Sequence, residues 1–82
     1  MLYYANGGPG PASKLLRVDA PEGGDFAAWR CAPAQRWRVK GGWKPDDEAQ
    51  HKILMTGDFF MIDESQVAQV QEEMRADYAR FH

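Results

Sequence analysis

"IDESQVAQVQEEMRADYARF", residues 62–81, decides how the rest of the chain must fold. Asp63 is a good N-cap, and Gln66 stands three residues later, where a capping-box partner belongs. Ile62 and Val67 flank the cap at the positions of a hydrophobic staple. Val67, Val70, Met74, Tyr78 and Phe81 follow at helical spacing, so one apolar stripe runs along a helix predicted over 64–81. Gln69, Glu72, Glu73 and Arg80 fall on its other faces. Such a stripe needs a cover, and the remainder of the chain must supply it.

Working back toward the N-terminus, the cover reads as strands. "LYYA" (2–5), "KLLRVDA" (14–20) and "QRWRVK" (35–40) are short, apolar or alternating, and bounded by Gly and Pro. "NGGPGPAS" (6–13) is a loop and "PEGGD" (21–25) a turn. "FAAWRCA" (26–32) fits a strand or a helical turn, and its length, Phe and Trp favour a strand. "EAQHKILM" (48–55) follows Pro45 and two aspartates and stops at Gly57, which favours a short helix over a strand at 51–55. "DFFMI" (58–62) is a short buried strand or an extended lead-in to the last helix. The expected class is α+β, a small antiparallel sheet of three to four strands packed by the C-terminal amphipathic helix. Val67, Val70, Met74 and Tyr78 should be buried, facing Trp37, Val39, Leu16 and Phe60.

The totals fit one small domain spanning 1–82, with 44% hydrophobic residues, enough for a core. No apolar run approaches the roughly 20 residues that cross a bilayer, and "MLYYANGGPG" has no signal-peptide pattern. Cys31 is the single cysteine, so an internal disulfide is excluded and a reducing, cytoplasmic setting is expected. The net charge of −2 is unevenly spread. Residues 1–44 are strand-rich and basic, whereas 45–82 are acidic. The two halves either neutralise each other in the fold or offer faces of opposite sign.

The chemistry-bearing residues point away from catalysis. Ser13 and Ser65 lack a nucleophile-elbow context, and nothing in their spacing joins Cys31 to His51. Glu48 and His51 have a helical metal-ligand spacing, yet one copy makes no site, and Cys31, His51 and His82 have no zinc spacing. No cofactor or metal is expected. The Gly-rich loop lacks the Lys-Ser/Thr ending of a phosphate loop.

Two binding readings remain. In "QRWRVKGGWKPDD" (35–47) two tryptophans sit among Arg36, Arg38, Lys40 and Lys44. Cations hold phosphates and exposed rings stack bases, so this stretch is a candidate single-stranded nucleic-acid site with Trp43 as platform. Strand alternation weighs against it, because it puts Trp37 and Val39 opposite the charges. The preferred reading is protein binding, with Trp43, Tyr3 and Tyr4 as anchors, since aromatic residues and arginine carry most interface energy.

The tail "GDFFMIDESQVAQVQEEMRADYARFH" (57–82), a strand running into a capped helix, resembles the endings of small uncharacterised proteins of actinobacterial bacteriophages. Ala, Gly, Pro and Arg supply 30 of 82 residues, the bias of a GC-rich gene. The resemblance covers the last third and matches no family motif, so it carries over no functional residue. It implies a non-enzymatic role in the bacterial host cell or the virion. That role would be binding a host protein, as an inhibitor or as a homo-oligomer, or serving as a small capsid or tail component.

Overall fold

A computed structural model of the chain describes residues 1–7, 14–21 and 23–81, with Phe81 as backbone alone. Five strands, β1 (Leu2–Asn6), β2 (Leu15–Val18), β3 (Ala34–Arg38), β4 (Gly42–Pro45) and β5 (Phe59–Ile62), form one sheet in the order β4-β3-β2-β1-β5. All neighbours are antiparallel. Helix α1 (Phe26–Cys31) links β2 to β3, α2 (Ala49–Thr56) links β4 to β5, and α3 (Glu64–Phe81) closes the chain. The α+β class with α3 packed on an antiparallel sheet is as the sequence predicts, and the sheet has five strands rather than three to four.

Alternation along each strand sorts side chains onto two faces. Tyr4, Leu16, Val18 and Ala34 point to the face covered by α1 and α2, where Trp29, Ala49 and Ile53 meet them. Ala5, Leu15 and Trp37 point to the other face and pack against Met74, Val67 and Val70 of α3, so Leu15, and not Leu16 as expected, faces that helix. Of the α3 stripe, Met74 is buried, while Val67, Val70 and Tyr78 are half-buried. One helix crosses only part of a five-stranded face, so its flanks stay wet. The cap forms as expected. Gln66 Oε1 accepts from the Asp63 amide at 2.8 Å, and the Asp63 carboxylate accepts from the Ser65 amide and hydroxyl.

Four further expectations are corrected. Residues 26–31 are helix, not strand, because the Asp25 carboxylate takes the Ala28 amide at 2.7 Å and starts a helical turn that nothing opposes. The strand over 35–40 ends at Arg38, and Val39 and Lys40 lie in a turn that reverses at Gly41 and Gly42, with φ of 117° and 68°. Pro45 therefore ends β4 instead of opening a helix, and α2 starts after Glu48 and stops at Gly57, which takes a left-handed φ of 67°. Phe60 is 62% exposed instead of buried, since β5 is an edge strand that α3 leaves bare. The expectations for Ser13, His82, the loop at 8–13 and the Phe81 side chain fall outside the described residues.

Candidate functional site

The sequence-predicted anchors divide between the two faces. Tyr3 and Trp43 meet on the α3 face, with ring centroids 6.2 Å apart. Arg17 of β2 lies over the Trp43 ring at 4.1 Å, and its Nε donates to Gln35 Oε1 at 2.6 Å. Tyr4 belongs to the opposite face, is 8% exposed, and serves the core. Its hydroxyl accepts from the Trp29 indole at 3.1 Å. Buried Gln50 of α2 completes this join by donating its side-chain amide to Trp29 O in α1 and to Ala32 O at its C-cap. Tyr4 is thus tied into the core, and hydrogen bonds fix α1 to the sheet through its Trp29 ring and to α2 through its C-terminal end.

The cations converge more closely than the sequence suggests. Register places Arg36 opposite Lys44 and Arg38 opposite Gly42, all on the face of α1 and α2. Lys40 in the turn and Lys52 on α2 join them around a depression of about 450 Å³. Lys52 is neutralised by Asp46 at 2.8 Å, and the other salt bridge among the described residues is Arg75–Glu72. Partial burial pushes the Asp46 carboxyl up, but Lys52, the Glu48 amide and Arg36 together hold it below its ordinary value. Trp43, one residue from Lys44, points to the opposite face and is occupied by Arg17. Trp43 is therefore no stacking platform beside Arg36, Arg38 and Lys44, and the Lys40 ammonium lies 5.7 Å from the centroid of the Tyr78 ring of α3.

A third site was missed by sequence reasoning. Between α1 and α2, over β1 and β5, runs an apolar groove of about 750 Å³. Leu2 and Tyr4 form its floor, Phe26 and Trp29 one wall, and Ile53, Leu54 and Met61 the other. The Phe26 and Trp29 rings stack in the first wall with centroids 5.8 Å apart. Phe26, Leu54 and Met61 are 56%, 48% and 62% exposed, and Asp25 is the one charged residue among the described lining. The available signal was the helical spacing of Phe26 and Trp29 behind the Asp25 cap, which the strand reading concealed.

Glu48 and His51 are both exposed, with Glu48 outside the helix as its N-cap residue. Among the described residues no group of three His, Cys, Asp or Glu could hold a metal ion, and no helix is long and apolar enough to cross a membrane. No known family model, curated protein or solved structure matches the chain.

Proposed function

We propose that this chain is a small non-enzymatic protein-binding module, which acts by occupying a partner's surface. The observation that carries this reading is the groove between α1 and α2. Soluble domains seldom leave contiguous large apolar side chains in water unless they bind something. Phe26, stacked on Trp29, faces Leu54 and Met61 across a groove with one charged residue, Asp25, in its described lining, which suits an apolar segment of another protein. The phage-like tail favours a host protein as the target, met in the bacterial cell, and a virion component is the alternative setting.

A selection of displayed random peptides on the immobilised protein tests this reading. Enrichment of peptides with two or more large apolar residues, lost when Leu54→Lys is the bait, is the expected result. No enrichment, or peptides indifferent to Leu54, would remove the groove as the site. A second reading, nucleic-acid binding through Arg36, Arg38, Lys40 and Lys44, is favoured by their convergence on one depression. It is weakened by the separation of Trp43 from them.

A further inference from the structure

The two edges of the sheet are not alike. β4 carries Lys44 and ends in Pro45, which has no amide hydrogen, so this edge resists a further strand. β5, Phe-Phe-Met-Ile, has neither charge nor Pro nor Gly, and no described strand lies beyond it. Its side chains are exposed on both faces, Phe60 toward the α3 side and Met61 toward the α1/α2 side.

The backbone of β5 also has a defined polarity. The Gly7 amide donates to Asp58 O at 2.6 Å, and antiparallel bonds alternate from there. Ala5–Phe60 and Tyr3–Ile62 are therefore the hydrogen-bonded pairs with β1. The N–H and C=O groups of Phe59 and Met61 point outward. We propose that this edge is where two copies of the chain join, β5 against β5 antiparallel about a twofold axis through Phe60, making one continuous ten-stranded sheet.

Three constraints fix that register. A twofold axis normal to the sheet keeps each face continuous, so a residue can oppose only one of its own parity. Pairing Met61 with its copy would set Phe59 against Asp63, whose amide already donates to Gln66, and Asp58 against Glu64. Pairing Phe59 with its copy would require Gly57 to extend, against its left-handed φ of 67°. The remaining register sets Phe59 against Met61 of the second copy in both directions, which uses every outward amide and carbonyl of the strand. It sets Phe60 against Phe60 as the non-hydrogen-bonded pair, where side chains approach most closely. Asp58 and Asp63 then alternate to opposite faces and do not oppose each other. The groove meets this edge at the Met61 side chain, but the seam is made by the β5 backbone and Phe60, which the groove does not use, so this dimer does not depend on the function proposed above.

Sedimentation velocity of the full 82-residue chain from about 1 µM to about 1 mM tests the proposal. A reversible monomer–dimer equilibrium is expected, and a weak one, because so short a strand buries less than the roughly 1,200 Å² of stable interfaces. Phe60→Lys and Phe60→Glu should each weaken dimerisation at least about tenfold through like charges at the axis. Their equimolar mixture should recover the dimer, as only self-apposition of position 60 allows. Met61→Pro removes an outward amide and no bond to β1, so it should abolish the dimer and keep the circular-dichroism spectrum. Leu54→Lys, which blocks the groove, should leave the equilibrium unchanged. A wild type monomeric throughout, a Phe60→Lys protein that dimerises like wild type, or a mixture that stays monomeric overturns the proposal.

Discussion

The guanidinium of Arg17 lies 4.1 Å from the centroid of the Trp43 ring, on the opposite side of the sheet from Lys44. The two residues stabilise each other by a cation–π contact that is partly exposed. A double-mutant cycle of Arg17→Ala and Trp43→Ala, followed by urea unfolding, should give a coupling of about 0.5–1 kcal/mol. Additive losses would show that the contact contributes nothing.

Because Arg17 occupies Trp43, a single strand lying on Arg36, Arg38 and Lys44 has no ring to stack on. A fluorescent single-stranded oligonucleotide titrated at about 50 mM salt should show no saturable binding. Saturable binding that falls with salt and vanishes in Arg36→Glu/Arg38→Glu would promote the nucleic-acid reading. If binding also fell on Trp43→Ala, the ring would have to leave Arg17.

Gln50 joins two helices through one side-chain amide. Gln50→Ala leaves Trp29 O and Ala32 O without that donor, and the cost should be about 1–3 kcal/mol. Hydrogen exchange should rise first in α1, whose own residues bury little. Equal protection of α1 in the variant and the wild type would show that water replaces the amide without loss.

Met74 is the buried residue of the α3 stripe, packed on Leu15 and Trp37. Met74→Asp places a carboxylate there without a partner, which costs several kcal/mol. Against a small domain's margin of roughly 5 kcal/mol, the variant should be unfolded by circular dichroism at room temperature. A folded, monomeric Met74→Asp protein would contradict the packing of α3.

Asp46 links α2 to the β4 end of the sheet through Lys52. Its carboxyl is held below the ordinary value of 3.8, so its pair stabilises the fold above that pH. The contribution is lost as the pH falls below 3.8 through the lower folded value. Asp46→Asn should cost about 1 kcal/mol or less at pH 7, measured by urea unfolding, and flatten the pH dependence in that acid window. An unchanged acid limb would show that the Lys52 pair contributes nothing to stability.

The last helix was legible because every determinant of it is local. The Asp63–Gln66 cap, the Ile62–Val67 staple and the spacing of Val67, Val70 and Met74 all lie within a few turns. The helix at 49–56 was legible for the same reason, with Gly57 as its stop. Residues 26–31 were misread because Phe and Trp favour strands on average, whereas a single aspartate contact settled this case. The fate of Phe60 could not be read at all. An apolar residue in a short strand is buried in the middle of a sheet and bare at its edge, and only the strand order decides which. The same holds for the candidate sites. Sequence alternation correctly separated Trp37 from Arg36 and Arg38, but it ended at the Gly41–Gly42 turn and could not say that Trp43 would return on the far face. The groove between α1 and α2 joins residues as distant as Leu2 and Met61, so it exists only once the sheet has brought β1 and β5 together. Sequence by itself determined the elements whose energies are local. The tertiary structure decided which apolar side chains remain in water, because exposure is set by which strands end up side by side.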